Sequence, residues 1–139
     1  MEGKVHGKVV IGVDDVRANL ILVQNYLQEA GFNFIGVQSG ADCLAVVGRV
    51  IPKLILLDIE MPQLDGIETC RRLRQMIELR HVPIAFVTSR KSPETVKAAI
   101  AAGGNDFIVK PFEKIELLRR VKHWTSRTAA QPGIRPQEQ

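Results

Sequence analysis

Aromatic residues are scarce in this chain, which has five Phe, one Trp and one Tyr among 139 residues. Stacked rings therefore cannot supply the interior, which must be aliphatic. Cysteine is scarcer still. Cys43 and Cys70 lie in separate segments with no CxxC or Cys/His ligand spacing, which argues against a zinc knuckle or a disulfide framework and for reduced, half-buried structural thiols. No apolar run approaches the roughly 20 residues of a spanning helix. Lys53 and Asp58 bracket the longest apolar strand, and the run from Val9 to Val13 is too brief for the core of a signal peptide. Cytoplasmic placement, away from any membrane, is the expectation. Aromatics are also missing around the densest basic stretch, Arg71, Arg72, Arg74 and Arg80. So despite a net charge of +4 and a pI of about 9.3, there is no platform for stacking single-stranded bases. No direct nucleic-acid binding is expected, and a solvated basic helix face is the better reading.

What is present is a globular composition, 45% hydrophobic and 24% charged. The length suits one domain that buries about two thirds of its unfolded surface. Lys8 to Val13 reads as a strand buried on both faces, ending in paired acids. Val16, Leu20, Val23, Leu27 and Ala30 then recur at helical steps, with Gly31 as the stop. Phe32 to Val37 predicts a second strand. Ser39 and Asp42 open a helix running to about Val50, and Pro52 breaks the chain. Leu54 to Leu57 is a third strand that delivers Asp58 at its carboxyl end. A loop from Ile59 to Asp65 leads to a helix over about Gly66 to Leu79, with Ile67, Cys70, Leu73 and Ile77 facing inward. Pro83 to Val87 is the fourth strand, with Thr88 at its end; Ser92-Pro93-Glu94 starts a helix and Gly103-Gly104 stops it. Phe107 to Val109 is the fifth strand, ending at Lys110-Pro111. Ile115, Leu118 and Val121, with Leu117 and Trp124 alongside, mark the last helix. The expected organisation is an N-terminal extension over residues 1–7, one domain over 8–124, and a flexible tail or the start of a linker over 125–139.

Five strands alternating with five helices call for an α/β fold with a five-stranded parallel, doubly wound sheet covered on both faces. In such sheets ligands gather outside the carboxyl ends of the strands. Asp14, Asp15, Asp58, Thr88 and Lys110 each fall at such an end. Three carboxylates brought together repel unless a cation intervenes, and an all-oxygen donor set suits magnesium, with manganese as a substitute; no His or Cys falls on this rim to favour zinc. Asp15, directly ahead of Val16, also reads as a helix cap. With an ion beside it, Asp58 can act as a carboxylate nucleophile toward phosphorus. Lys110 supplies a point charge, the Thr88 hydroxyl can donate to a phosphoryl oxygen, and Ser89 is small enough to leave room for the incoming group.

Four stretches carry a resemblance: Val13-Asp14-Asp15, LLDIEMPQLDG from Leu56 to Gly66, FVTS from Phe86 to Ser89, and DFIVKPF from Asp106 to Phe112. In this order and spacing they resemble the receiver domain of bacterial two-component response regulators, the chemotaxis regulators among them, over about residues 8 to 124. The resemblance implies a flavodoxin-like (βα)5 three-layer sandwich with strand order 2-1-3-4-5. It makes Asp58 the acceptor of a phosphoryl group from a sensor histidine kinase or a histidine phosphotransfer protein. Magnesium would be held by Asp15 directly, by Asp14 partly through water, by Asp58 and by the backbone carbonyl of Glu60. Thr88, Ser89 and Lys110 would hold the phosphoryl group, Thr88 and Phe107 would shift when it arrives, and Glu60 and Arg90 would tune its lifetime. The Lys110-Pro111 bond is expected to be cis. The face made by the fourth helix, fifth strand and fifth helix would dock a downstream protein or a second copy of the chain. The domain would signal rather than catalyse, beyond its own phosphorylation and dephosphorylation. Phe107 stands where tyrosine is frequent in the family, so the ring hydroxyl is missing. Two alternatives stay open. One is a receiver module cut from a longer regulator with a DNA-binding or second-messenger output domain. The other, more remote, is an aspartate-nucleophile phosphohydrolase, which wants an acid two residues after the nucleophile, as Glu60 is, but carries that nucleophile after the first strand.

Overall fold

A computed structural model describes the backbone of Val5 and His6 and the whole of residues 9–126. Five strands alternate with five helices: β1 (Val9–Val13), α1 (Arg17–Glu29), β2 (Asn33–Val37), α2 (Gly40–Val46), β3 (Leu54–Leu57), α3 (Gly66–Arg74), β4 (Ile84–Thr88), α4 (Pro93–Ala101), β5 (Asp106–Val109) and α5 (Lys114–Thr125). All are parallel, in the order β2-β1-β3-β4-β5. This is the doubly wound, flavodoxin-like order expected. Because β3 and β4 lie inside the sheet, every residue of both is buried, which is why they read as unbroken apolar runs.

Alternation along the strands divides the core into two layers. Ile11, Val13, Ile55, Leu57, Ile84 and Phe86 pack with Cys43, Cys70, Leu73 and Ala99 of α2, α3 and α4. Val10, Leu54, Leu56, Val87 and Ile108 meet Leu27 of α1 and Leu117, Val121 and Trp124 of α5. The cysteines are free and fully buried rather than half-buried. Burial pushes the Cys43 thiol up to about 12 and the Cys70 thiol up to about 11, so both stay protonated and inert. The expected caps are made: Ser39 Oγ accepts from the Asp42 amide at 3.0 Å and Ser92 Oγ from the Thr95 amide at 3.2 Å.

Several elements differ from expectation. Helix α2 stops at Val46, and Val50–Ile51 pairs in parallel with Val5–His6, within the expected N-terminal extension. Gly48 costs a helix about 1 kcal/mol and the β-branched pair prefers to extend. Helix α3 stops at Arg74, Met76 is extended, and a 3-10 turn, Ile77–Leu79, follows. Arg74 is no part of a solvated basic face. Its guanidinium donates to the carbonyls of Leu79 and Val82 at 2.7 Å, to that of Gly103 at 3.1 Å, and to Asn105 Oδ1 at 2.7 Å. The chain folds around this clasp and loses helical phase, so Leu79 is buried while Ile77, expected inward, is 77% exposed.

In α5 the inward stripe is Leu117, Val121 and Trp124, and Ile115 is 72% exposed. Two overlapping stripes were compatible with a helix; a 2.8 Å bond from Trp124 Nε1 to Asp106 Oδ2, with Arg120 on Asp106 Oδ1 at 2.6 Å, selects the rotation. Val16 and Ala30 at the ends of the α1 stripe are exposed. Thr125, expected in the tail, belongs to α5; residues 127–139 and most of 1–8 lie outside the described residues. No described helix is long and apolar enough to cross a membrane.

Candidate functional site

The carboxyl ends of the strands are fixed by a ladder that continues one residue beyond several of them. The Asp14 amide donates to the Val37 carbonyl at 3.1 Å, the Asp58 amide to the Val13 carbonyl at 3.0 Å, and the Lys110 amide to the Thr88 carbonyl at 2.9 Å. Since β1 and β3 are neighbours, Asp14 and Asp58 emerge side by side. Carboxylate oxygens of Asp14, Asp15 and Asp58 lie within 4.8 Å of one another. Lys110 Nζ reaches in from β5 and donates to Asp14 Oδ2 at 2.9 Å and Asp58 Oδ2 at 3.2 Å. All five residues expected on the rim are on it.

Thr88 is fully buried and its Oγ1 accepts from the Arg90 amide at 3.3 Å. Ser89 is exposed and lines a cavity of about 370 Å³ with Asp14, Asn19 and Lys110. Glu60 and Arg90 face each other across the mouth, with Arg90 Nε 3.0 Å from Glu60 Oε2. The Lys110-Pro111 bond is cis. Phe107 is not on the rim. It is half-buried on the edge strand, with its ring centroid 6.4 Å from that of Phe86.

The loop after Asp58 is set by packing. Ile59 and Met61 are buried, and the Gly66 amide returns to the Ile59 carbonyl at 2.9 Å. A Cβ on Gly66 would sit 2.0 Å from the Asp58 carbonyl oxygen, so only glycine lets α3 start so close to the Asp58 backbone.

Asp14, not Asp15, serves the start of α1: its Oδ1 accepts from the Val16 amide at 2.9 Å. The first free helical amide lies two residues on from Asp14, within reach of its folded-back carboxylate. Asp14 Oδ2 also accepts from Asn19 Nδ2 at 3.0 Å. Sequence reasoning missed Asn19, although an amide side chain early in the helix that follows an acidic strand end was there to read.

Asp58 is 7% exposed. Burial raises its pKa above the ordinary carboxylate value and the Asp14 charge adds to this, while Lys110 and the Glu60 amide act against it. Lys110 loses by burial, but its bonds and charge contacts with Asp14 and Asp58 outweigh that and raise its pKa. Three carboxylates against one ammonium leave two negative charges on oxygen donors, which fits a hard divalent cation such as magnesium.

The raised Asp58 pKa has a definite sign in linkage. The folded protein holds this proton more tightly than the unfolded chain, so the Asp58 contribution to stability falls as pH rises from about 4 through the raised folded value. In metal-free buffer, urea unfolding midpoints measured between pH 4 and pH 7 should decline more for the wild type than for Asp58→Asn, with the variant the more stable at neutral pH. Parallel midpoints across that range would contradict the burial of an uncompensated charge.

A family model, the response regulator receiver domain, matches residues 10–122. The chain is 31% identical over 116 residues to the response regulator PleD of Caulobacter vibrioides, a match covering 84% of this chain and 26% of PleD. It is 36% identical over 110 residues to the phosphate regulon transcriptional regulatory protein PhoB of Rhizobium meliloti, covering 79% of this chain and 48% of that protein. It thus spans about a quarter to a half of the length of these curated relatives. Among solved structures, the receiver domain of the sensor histidine kinase PA1611 from Pseudomonas aeruginosa PAO1, with magnesium coordinated in its active-site cleft, aligns with a TM-score of 0.81 at 28% identity, covering 87% of this chain and 99% of that one. With the parallel order 2-1-3-4-5 and the acidic rim beside it, the family match is enough: the chain belongs to the response regulator receiver domains, a family of signalling modules.

Proposed function

We propose that this receiver accepts a phosphoryl group on Asp58 from a histidine kinase or a histidine phosphotransfer protein, in a magnesium-dependent step. The observation that carries the reading is Lys110 Nζ bridging Asp14 and Asp58 inside a carboxylate cluster 4.8 Å across. Asp14, Asp15, Asp58 and the carbonyl of Glu60 would hold the ion, which when bound neutralises charge on the phosphoryl oxygens. An Asp58 carboxylate oxygen forms the new bond to phosphorus, and the donor leaves with the electron pair of the bond it loses. Lys110 turns from Asp14 to the phosphoryl group. The Thr88 hydroxyl, which accepts from the Arg90 amide, keeps its own proton for donation to a phosphoryl oxygen, and exposed Ser89 leaves the approach open.

Glu60 and Arg90 tune the lifetime by standing over the mouth; both side chains are about half exposed, so the pair is worth no more than about 1 kcal/mol. Movement of Thr88 lets Phe107 swing inward by packing alone. This alters the face made by α4, β5 and α5, where a downstream protein or a second copy docks; Lys91, Lys97 and Lys122 flank that face for an acidic partner, whereas Lys114, on Glu29 of α1, and Arg119, on Glu116, are paired within the chain. The working unit is residues 8 to about 125, acting in the cytoplasm as a switch rather than as an enzyme on other substrates. Because the match takes in only part of PleD and PhoB, a module of a longer regulator is a reading of equal standing. The hydrolase alternative is disfavoured by a nucleophile on β3 rather than β1.

Three outcomes test this reading. Acetyl phosphate with magnesium should add one phosphoryl group by intact mass, and Asp58→Asn should abolish the gain; undiminished labelling of the variant would sink the assignment. Arg90→Ala should speed loss of the group by no more than about five-fold, the rate equivalent of ~1 kcal/mol, and an unchanged rate would remove the pair from lifetime control. Beryllofluoride with magnesium should shift amide resonances along residues 90–122; shifts confined to the immediate neighbours of Asp58, Thr88 and Lys110 would refute the switch.

A further inference from the structure

The Asp14 carboxylate carries three donors. The Val16 amide is on Oδ1 at 2.9 Å, while Asn19 Nδ2 at 3.0 Å and Lys110 Nζ at 2.9 Å share Oδ2. The two on Oδ2 differ in kind. Lys110 is charged, reaches in from β5, and also holds Asp58 Oδ2 at 3.2 Å, so a group arriving on Asp58 competes with Asp14 for it. Asn19 is neutral and sits on α1, half-buried in the wall of the cavity beside buried Leu20. It can stay.

We propose that Asn19 is the positioning residue of this site: its amide holds Asp14 Oδ2 when Lys110 departs and keeps that carboxylate turned toward the cation. This rests on the functional reading above. The torsion that rotates a carboxylate about its last bond is broad, and both oxygens turn together, so the Val16 amide on Oδ1 is a single restraint on that rotation; a second donor on Oδ2 narrows it from the opposite side. The donor must also be neutral. A lysine or arginine at position 19 would satisfy the oxygen but oppose a divalent ion, whereas an amide orients the ligand without adding charge. Partners that orient a metal ligand in this way typically contribute about 10-fold or more in metal affinity.

The test reads metal binding directly, without phosphorylation. Free Mn²⁺ is followed by electron paramagnetic resonance as it is titrated into wild type, Asn19→Leu, Asn19→Gln and Asp14→Asn, with Mg²⁺ as competitor and urea midpoints recorded for each. Leucine matches asparagine in shape but has no donor. The expected result is a dissociation constant raised about 10-fold in Asn19→Leu at a similar urea midpoint, with part of the affinity recovered in Asn19→Gln, which keeps an amide on a longer arm. Equal affinity in wild type and Asn19→Leu, or equal loss in the Leu and Gln variants, would overturn the positioning role and leave the functional reading intact. A wild type that binds no metal, or an Asp14→Asn variant that binds as well as wild type, would overturn both.

Discussion

Asp14 and Asp58 sit at the ends of neighbouring strands, and their backbones cannot move apart to relieve the repulsion among the three carboxylates. The Asp14 and Asp58 amides are bonded into the β2–β1–β3 ladder, and Gly66 presses α3 against the Asp58 carbonyl. The sheet therefore imposes the repulsion, and Lys110 offsets only part of it. Burial deepens the imbalance, since an ionised carboxylate in a poorly solvated site costs several kcal/mol unless its partners repay it. A site in this condition gains from any arrival that brings positive charge, and the proposed cation-assisted phosphoryl transfer to Asp58 would draw on that demand. Asn19 and the Val16 amide hold Asp14 without bringing a positive charge, which keeps the demand in place.

The rim connects to the rest of the molecule through β4 and β5. Thr88 ends β4, and Phe86 two residues earlier lies in the core against Phe107 on the edge strand. Helix α4 follows Thr88 closely, and its two ends are held differently. Its carboxyl end is tied down, with Cys70 Sγ on the Ala102 carbonyl at 3.4 Å and Arg74 on the Gly103 carbonyl at 3.1 Å. Its amino end rests on the local Ser92–Thr95 cap and is exposed. In the proposed switch a change at Thr88 would reach the less restrained end of a helix whose far end is pinned, a geometry in which a small displacement becomes a tilt. The chain lacks a tyrosine hydroxyl at Phe107, so in the proposed switch an inward ring would be favoured by apolar burial alone.

Much of this was legible in the sequence. Parallel strands buried on both faces announce themselves as short apolar runs, and polar residues at their ends stand out because little else breaks those runs; Asp14, Asp58, Thr88 and Lys110 were found that way. The strand order was not legible from periodicity, since any right-handed winding satisfies the same pattern, and it came from the resemblance of the motifs. Helical phase was also under-determined. Ile77 and Ile115 fit an apolar stripe as well as Leu79 and Leu117 do, and the choice goes with polar contacts that a periodicity does not show, Arg74 on the carbonyls of Leu79 and Val82 and Trp124 on Asp106. Arg74 itself reads as a surface charge, because the pattern of residue types does not reveal that five carbonyl or amide oxygens converge on it. Asn19 was passed over for a related reason: its meaning lies in the second oxygen of a carboxylate five residues away.

The proposed phosphoryl transfer changes one carboxylate, that of Asp58, and borohydride tests it at the level of a single bond. Borohydride reduces an acyl phosphate to the alcohol, so an aspartyl phosphate becomes homoserine while free carboxylates are left alone. Protein incubated with acetyl phosphate and magnesium, trapped with borohydride, digested and sequenced by mass spectrometry should show homoserine in place of Asp58 and unmodified Asp14 and Asp15. Homoserine in place of Asp14 or Asp15, or no reduction anywhere in a protein that had taken up the phosphoryl group, would contradict it.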